Sequence, residues 1–352
     1  MSVLNLMRSD LQSWKSYSVN KDNISSRLHA NELPWSPFNE LNLNTNQYPG
    51  YAKEAALSSI LTEHYGVSSN QLLITRGSDE ALDFIMRLFL QPGLDSILQC
   101  PPTFAMYEFY ARLQQGNIIN VPLSPINFSY QLESICNNWE PNCKLIFLCT
   151  PNNPTGSSLP IADIERLCLE FQNKAMIVVD EAYIEFSSRQ SAASLIAEFD
   201  NLIVLRTLSK AHGLAALRLG CILTQESCIK ALLSIRAPYP LSEIVLDIAQ
   251  QALRQTQWQQ EAVAIIVSER QRFAEKLQEI SYIEAIYPSE ANFLLVGAKF
   301  ALDIRNWLQA KGIAVRAFTD PTLQNFLRIT IGHPEQNQEL LAALQAYSPR
   351  MD

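Results

Sequence analysis

Residues 144–180 read KLIFLCTPNNPTGSSLPIADIERLCLEFQNKAMIVVD, a segment in which two short apolar runs flank a stretch with helical periodicity. The runs 144–150 and 175–180 are almost continuously apolar, which is typical of strands that are covered on both faces in a parallel sheet. Between them, residues 161–174 carry apolar side chains at helical spacing. A strand, a helix and a second strand in this order predict an open, doubly wound α/β sheet.

The same alternation continues on both sides of this segment. Further strands are predicted at residues 71–75, 96–100, 117–122, 202–208 and 219–224, and further helices at 53–65, from 79 to the Pro92-Gly93 pair, and at 104–115. Beyond these lie long helices at 226–236, 242–256 and 258–279, then strands near 282–287, 291–297, 313–317 and 326–331 and helices at 301–311 and 335–346. The sequence therefore predicts an N-terminal arm over residues 1–45, a large domain over 46–240 and a small C-terminal α/β domain over 241–352.

The composition excludes several classes of protein. Of 352 residues, 47% are hydrophobic and 18% are charged, which is typical of a globular chain. A net charge of −8 without a cluster of Lys and Arg argues against nucleic acid as a partner. The seven cysteines are odd in number and never spaced C-x-x-C, which favours reduced, buried thiols over a disulfide scaffold or a metal site. With neither a signal peptide nor an apolar run of transmembrane length, a cytoplasmic protein that does not contact the membrane is expected.

Polar residues follow five of the predicted strands. These segments are Gly77-Ser78-Asp79-Glu80, Pro102-Thr103-Phe104, Asn152–Gly156, Asp180–Tyr183 and Thr207–Lys210. In open α/β sheets, ligands bind just beyond the carboxyl ends of the strands. The sequence therefore predicts a small-molecule site at this edge of the sheet.

Lys210 is the candidate nucleophile of that site. A partly desolvated lysine amine loses proton affinity and can form an imine with an aldehyde. An isolated lysine at a strand end more often extends its amine to water, so its neighbours decide between the two interpretations. Ser209 and Arg218 offer a hydroxyl and a guanidinium for a phosphate. The turn Ser78-Asp79 opens a helix whose N–H groups could bind the same phosphate, although a simple helix cap also explains the turn.

A heteroaromatic ring would find partners in the same set of residues. Asp180 could keep a ring nitrogen protonated, as an electron-sink pyridine requires. Asn153 and Tyr183 could hydrogen-bond a phenolate oxygen on the ring, and Tyr107 offers a flat face for stacking. Taken singly, Tyr107 also fits core packing, and Asn153 also fits a turn residue before Pro154.

Several ordered motifs resemble those of the fold-type I pyridoxal-phosphate enzymes, and among them the histidinol-phosphate aminotransferases. The motifs span about residues 28 to 345 and are LHANELP, NQYPGY, RGSDEALD, CPPTFAMY, PNNPTG, VVDEAYIEF, RTLSKAHGLAALRLG, APYPLS and FLRITIG. The resemblance implies a large domain with a mainly parallel seven-stranded sheet between helices, and a smaller C-terminal α/β domain. It also implies pyridoxal 5′-phosphate as the cofactor and no metal.

The resemblance assigns a role to each matching residue. Lys210 carries the cofactor as a Schiff base and later moves a proton. The other cofactor contacts implied are Asp180 at the ring nitrogen, Asn153 and Tyr183 at the O3′ oxygen, Tyr107 on the ring face, and Ser78, Asp79, Ser209 and Arg218 at the phosphate. Tyr48 reaches the phosphate from a second subunit, which makes a homodimer part of the active site. The substrate is bound by Arg328, with help from Arg316, Tyr17 and Asn31.

The implied reaction is L-histidinol phosphate + 2-oxoglutarate = 3-(imidazol-4-yl)-2-oxopropyl phosphate + L-glutamate, by a ping-pong mechanism. Within the same fold, a threonine-phosphate decarboxylase and a broad aromatic aminotransferase remain alternatives. A cofactor-sensing regulator would need an attached DNA-binding module, and a nicotinamide enzyme would need a G-x-G-x-x-G turn that follows no strand here. Two positions depart from the usual motif, which more often has Phe at His212 and Gly at Ala216.

Overall fold

A computed structural model describes residues 26–27, 31, 51–237 and 239–348, with the backbone alone described at residues 26, 27 and 51. Within these ranges, seven strands form one sheet in the order β2-β8-β7-β6-β5-β3-β4. They are β2 (Leu72–Thr75), β3 (Ser96–Gln99), β4 (Asn117–Asn120), β5 (Cys143–Cys149), β6 (Met176–Asp180), β7 (Leu202–Thr207) and β8 (Gly220–Thr224). All pairs are parallel except those that β8 makes with β2 and β7. The predicted α/β class with a mainly parallel seven-stranded sheet is confirmed.

Helices cover both faces of this sheet. They are α1 (Tyr51–Tyr65), α2 (Gly77–Phe89), α3 (Met106–Leu113), α4 (Leu132–Asn138), α5 (Ile161–Glu170), α6 (Glu226–Ile235) and α7 (Glu243–Leu253). Strand β7 shows why the apolar runs are continuous. Leu202 and Val204 face one core together with α1 and α5, and Ile203 and Leu205 face the other core together with α2. Since both faces are buried, the strand is apolar from Leu202 to Leu205, and its polar residues Arg206 and Thr207 come only at its carboxyl end.

A smaller antiparallel sheet follows the long helix α8 (Thr256–Leu277). It has the order β12-β13-β10-β9, and its core is completed by three helices, α8 and two that follow. Its elements are β9 (Ile283–Ile286), β10 (Phe293–Ala298), α9 (Ala301–Ala310), β12 (Arg316–Ala317), β13 (Phe326–Thr330) and α10 (Pro334–Gln345). The short strand β11 (Ile313–Ala314) pairs in parallel with β1 (Ser26–Arg27), which lies in the predicted arm.

The packing of α7 bears on the division into domains. Its buried residues Leu246, Ala249 and Leu253 belong to the same core as Leu57 and Leu61 of α1. The core of the smaller sheet contains residues of α8 and none of α7. The domain boundaries predicted from the sequence remain a prediction, and we propose on this packing that the division lies between α7 and α8.

The structure adds two findings to the sequence-based exclusions. All seven cysteines are free and six of them are buried, as predicted. In the described ranges, no helix combines the length and the apolar character needed to cross a bilayer.

Candidate active site

Asp180 ends strand β6, and its buried carboxylate is the centre of the candidate site. The residue is 2% exposed, and Oδ2 accepts a hydrogen bond from the Tyr107 hydroxyl at 2.8 Å. Oδ1 accepts a second one from the Ala182 amide at 3.1 Å. Burial raises the pKa of Asp180 to about 6, although both hydrogen bonds and the charge of Lys210 act to lower it. A carboxylate in such a place gains from a cationic partner, and a protonated ring nitrogen is one.

Tyr107 lies beneath this carboxylate and not on an open face of the site. It is 0% exposed, and its ring stacks on Phe147 with the centroids 4.8 Å apart. Phe104 meets the same ring edge-on at 5.6 Å and is itself partly exposed. These surroundings do not fit the stacking role that the resemblance implies for Tyr107. They fit core packing, with the hydroxyl orienting Asp180, and they leave Phe104 as the more accessible aromatic ring of this segment.

Lys210 follows β7 in a tight loop that closes on itself. The Gly213 amide donates to the Lys210 carbonyl at 3.2 Å, and the Leu214 amide donates to the Leu208 carbonyl at 3.1 Å. The Lys210 Nζ atom lies 5.8 Å from the centroid of the Tyr183 ring. Asp180 is one of its electrostatic partners. The amine therefore lies at the carboxyl edge of the sheet, near the Tyr183 ring and within electrostatic range of Asp180, the two groups that the sequence predicted as its neighbours.

Tyr183 is 4% exposed and keeps its proton at neutral pH. Burial raises the pKa of its hydroxyl to about 12. The hydroxyl accepts a hydrogen bond from the Asn31 side chain at 3.2 Å, so its own proton remains available for an oxyanion.

The first turn of α2 and the start of β8 meet closely. Gly77 has φ +74°, and a Cβ atom there would lie 2.8 Å from Nη2 of Arg218. A Cβ atom on Gly220 would lie 2.8 Å from the amide nitrogen of Ser78. Only glycine therefore allows the guanidinium and the helix N-terminus to come together, and a helix N-terminus favours an anion.

Arg218 links three of the residues predicted to hold a phosphate. Its Nη2 atom lies 2.8 Å from Oδ2 of Asp79, and its Nη1 atom lies 3.5 Å from the Ser209 hydroxyl. Arg218 itself has φ +52°, a left-handed conformation that is costly for a residue with a side chain. The chain accepts this conformation where it aims the guanidinium at the Ser78-Asp79 turn.

Arg328 brings the smaller sheet to the same edge. It lies on β13 and is 9% exposed, and its Nη1 atom donates to the side-chain oxygen of Asn153, which is also 9% exposed. Its guanidinium packs 5.4 Å from the ring centroid of Phe293. Arg316 faces Arg328 in the β12–β13 register and is exposed. A buried guanidinium next to the cofactor edge can bind a carboxylate or a phosphate.

Asn31 is fixed in this pocket from several sides. It is 1% exposed with φ +54°, and its side-chain oxygen accepts from the Thr330 hydroxyl at 2.6 Å. Asn292 donates to its carbonyl oxygen at 3.0 Å. Thr330 and Asn292 were not predicted from the sequence. The sequence signal that could have identified them is a polar residue within each of the mainly apolar segments FLRIT and ANFLLV.

The structure thus brings together most of the predicted site residues. At the carboxyl edge of the large sheet lie Ser78, Asp79, Asn153, Asp180, Tyr183, Ser209, Lys210 and Arg218, with Asn31 and Arg328 beside them. Tyr17 and Tyr48 lie outside the described residues.

Comparison with known proteins places this site in a family. The family model for aminotransferase class I and II matches residues 22–344. The chain belongs to the class I and II aminotransferases. The predicted family and the predicted enzyme class are confirmed.

Relatives of this aminotransferase cover its whole length. It is 46% identical over 350 residues to "Histidinol-phosphate aminotransferase 1" of Legionella pneumophila (strain Lens), covering 99% of this chain and 96% of the relative. It is 40% identical over 353 residues to "Histidinol-phosphate aminotransferase" of Xanthomonas euvesicatoria pv. vesicatoria (strain 85-10), covering 98% and 97%. The crystal structure of histidinol-phosphate aminotransferase from Sinorhizobium meliloti in complex with pyridoxal-5′-phosphate is 23% identical, with a TM-score of 0.81 over 96% of each chain. At that identity, the structural likeness shows the fold.

The residues of this aminotransferase fit pyridoxal phosphate, the cofactor of the family. The absence of side chains at Gly77 and Gly220 lets the Arg218 guanidinium approach the N-terminus of α2, and this pair of groups suits a phosphate. The buried carboxylate of Asp180 matches a pyridinium nitrogen, and Lys210 supplies an amine. The predicted dependence on pyridoxal phosphate is confirmed by the family.

Proposed function

We propose that the chain transfers the amino group of L-histidinol phosphate to 2-oxoglutarate, giving 3-(imidazol-4-yl)-2-oxopropyl phosphate and L-glutamate. The relatives at 40–46% identity over the whole chain support this substrate pair. The observation that carries the proposal in the structure is Arg328, a buried cation whose guanidinium contacts Asn153 at the cofactor edge. Both the amino donor and the amino acceptor carry an anionic group. A guanidinium can form two parallel hydrogen bonds to a carboxylate or to a phosphate.

Lys210 has two tasks in this proposal. When bound, pyridoxal phosphate supplies an electron sink that stabilises negative charge at the substrate Cα atom. The Lys210 amine holds the cofactor until substrate arrives, and then takes the proton from Cα and returns it on the cofactor side. A positioned acid–base group of this kind contributes about 10²- to 10⁴-fold in rate.

The remaining residues hold the cofactor in one orientation. Asp180 keeps the ring nitrogen protonated, and Tyr107 orients Asp180 through the 2.8 Å hydrogen bond. Tyr183 and Asn153 contact the O3′ oxygen, while Ser78, Asp79, Ser209 and Arg218 hold the phosphate. Asn31 and Arg316 assist Arg328 with substrate.

We propose in addition that the active site is completed in a homodimer, with Tyr48 of one subunit reaching the phosphate of the other and Tyr17 covering the substrate. These two roles, like the cytoplasmic location, are carried by the sequence alone. Sedimentation of the purified protein tests the dimer. Tyr48→Phe should weaken the binding of pyridoxal phosphate while the protein remains a dimer.

A parallel assay tests the reaction. The purified protein with pyridoxal phosphate is given 2-oxoglutarate and either L-histidinol phosphate or L-phenylalanine as donor, and O-phospho-L-threonine is tested separately for release of carbon dioxide. We expect glutamate formation with histidinol phosphate at a kcat/KM well above that with phenylalanine, and no decarboxylation. Preference for phenylalanine would make this chain an aromatic aminotransferase, and carbon dioxide release would make it a decarboxylase.

A further inference from the structure

Two segments that contribute residues to the candidate site also pack against each other, on the side that faces away from the cofactor edge. The first is the Lys210 loop, residues 208–214, and the second is the Tyr183 turn, residues 181–186. The proposed function has no use for three of their polar side chains, His212 on the loop and Glu181 and Glu185 on the turn. The His212 residue is 5% exposed and the Glu185 side chain 9%.

Arg206 fixes Glu185 in place. Its Nη2 atom donates to Oε1 of Glu185 at 2.7 Å, and its Nη1 atom lies 3.3 Å from Oε2 of Glu181. Its guanidinium also packs on the Tyr65 ring, 4.5 Å from the centroid. Arg206 precedes the Lys210 loop on β7, so this ion pair joins the strand before the loop to the Tyr183 turn.

Several buried polar atoms around this ion pair lack a hydrogen-bond partner in the described part of the chain. They are both ring nitrogens of His212, Oε2 of Glu185, Nε of Arg206 and the hydroxyl of Tyr65. Buried polar atoms in folded proteins almost always have a partner, because an unmade hydrogen bond costs free energy. Each of these five atoms therefore needs a partner, and one bound molecule can serve several of them but not all.

The charged groups around His212 limit what this bound molecule can be. The groups that face His212 are the carboxylate of Glu185, the guanidinium of Arg206 and the ring of His64, whose centroid lies 5.3 Å away edge-on. Across the described ranges, no three His, Cys, Asp or Glu residues are arranged to hold a metal ion. A water molecule can donate to Oε2 of Glu185 and to the unprotonated nitrogen of His212 and accept from one further donor, which matches the about three hydrogen bonds of a typical buried water.

We propose that His212 is a positioning residue for the Tyr183 hydroxyl, and that His212 and Glu185 share an ordered water that braces the Lys210 loop against the Tyr183 turn. The inference rests on the proposed function, because the brace matters only if Lys210 and Tyr183 act on the same cofactor. Its effect is to hold the Tyr183 hydroxyl at the cofactor's O3′ oxygen. A hydrogen bond to that oxygen lowers the pKa of the lysine-bound cofactor, so loss of the brace raises this pKa.

His212 can be replaced without altering the charge near Lys210. Burial lowers the pKa of His212 to about 4, so its ring is neutral at pH 7 and above. His212→Phe keeps an aromatic ring but removes both nitrogens, and His212→Gln keeps a donor and an acceptor. Any change in the pKa of the lysine-bound cofactor then reports geometry and not a lost charge.

The experiment is an absorbance titration of the holoenzyme without substrate, together with thermal unfolding. We expect His212→Phe to raise the pKa of the lysine-bound cofactor by about 0.5 to 1, the shift that corresponds to losing one net hydrogen bond, and His212→Gln to stay near the wild type. The control is Tyr282→Phe, which removes the 2.6 Å hydrogen bond to the Leu344 carbonyl in the small sheet's core. It should lower the unfolding temperature and leave the cofactor pKa unchanged.

The possible results separate this inference from the proposed function. A wild-type protein without any lysine-bound cofactor absorbance would overturn the proposed function itself. A normal wild-type spectrum with an unchanged pKa in His212→Phe would overturn only the role of His212, as would an equal shift in Tyr282→Phe. A high-resolution crystal structure of the holoenzyme gives a second test that needs no variant. Density for a water within hydrogen-bond distance of His212 and Glu185 is expected, and density that places no water there refutes the brace.

Discussion

The hydroxyl of Tyr107 donates a 2.8 Å hydrogen bond to Oδ2 of Asp180, and both side chains are almost wholly buried. The bond favours the ionised carboxylate that a pyridinium nitrogen requires. Removing it should therefore weaken the hold on the cofactor without removing any group that touches the substrate.

Tyr107→Phe tests this relationship. A hydrogen bond to a charged group contributes about 1.5 to 3 kcal/mol, so the Kd for pyridoxal phosphate should rise about tenfold or more. Equilibrium dialysis of the cofactor measures it. Tyr130→Phe is the matched control, because the Tyr130 hydroxyl is equally involved in hydrogen bonds, to the backbone of Cys149, but does not contact Asp180. An equal loss in both variants would contradict the role given to Tyr107.

Asp180 should make the stability of the cofactor-free protein depend on pH. Its pKa is about 6 in the folded chain and near 3.8 in an unfolded one, so between these values the folded state binds more protons. The contribution of Asp180 to the free energy of unfolding therefore falls as pH rises from about 4 to 6, by up to about 3 kcal/mol. Urea unfolding of wild type and Asp180→Asn at several pH values measures it. Asp180→Asn should gain relative to wild type as pH rises, and a constant difference would show that the pKa of Asp180 is not raised.

Gly77→Ala should damage phosphate binding. Its Cβ atom would lie 2.8 Å from Nη2 of Arg218, so the guanidinium must move. We expect the Kd for pyridoxal phosphate to rise at least about tenfold, since a charge-assisted contact is lost. Gly93→Ala is a close control. Gly93 has φ +77°, nearly the same as Gly77, but its Cβ atom would meet only Gln115, at 3.9 Å. Both variants should lose about 1 kcal/mol of stability, and only Gly77→Ala should lose the cofactor.

Arg328→Gln should affect the substrate and spare the cofactor. Loss of a guanidinium–carboxylate pair should lower kcat/KM for 2-oxoglutarate by about 10- to 100-fold. The Kd for pyridoxal phosphate should change little. Steady-state kinetics with varied 2-oxoglutarate measures the effect, with Arg305→Gln on the outer helix α9 as the control. Unaltered kinetics in Arg328→Gln would show that the anionic group of the substrate binds at another residue.

Lys210→Ala should abolish turnover and the absorbance of lysine-bound cofactor together. Lys174→Ala, at a surface ion-pair residue, provides the control. Near-normal turnover in Lys210→Ala would exclude the central role of this lysine.

The strands and helices were predictable because burial on both faces leaves a plain signal in the sequence. Strands β5, β6 and β7 lie within one or two residues of the predicted runs, since each run is apolar up to the point where the strand meets the site. Two elements, α4 and β1, were not predicted because they leave little apolar signal of this kind in the sequence. Helix α4 buries only Ile135, so its apolar spacing is weak, and β1 is only two residues long.

The direction of β8 and the surroundings of Tyr107 could not be read from the sequence. A continuous apolar run looks alike in either strand direction, so nothing in residues 219–224 indicates the antiparallel pairing. Likewise, a tyrosine three residues from Phe104 fits a stacked ring and a packed core equally well. The structure favours the packed core, because Phe147 from β5 stacks on the Tyr107 ring.

The reversed direction of β8 also sets a length constraint on the chain. Because β7 runs toward the carboxyl edge and β8 returns from it, the connection between Thr207 and Gly220 starts and ends at the same edge. Lys210 and Arg218, which we propose hold the aldehyde carbon and the phosphate of one cofactor, both lie within it. Insertions and deletions between them should be excluded throughout evolution, even though one of the intervening residues, Ala216, faces solvent. Among natural variants of this chain, the spacing of that lysine and arginine should be more constant than the identity of any residue between them.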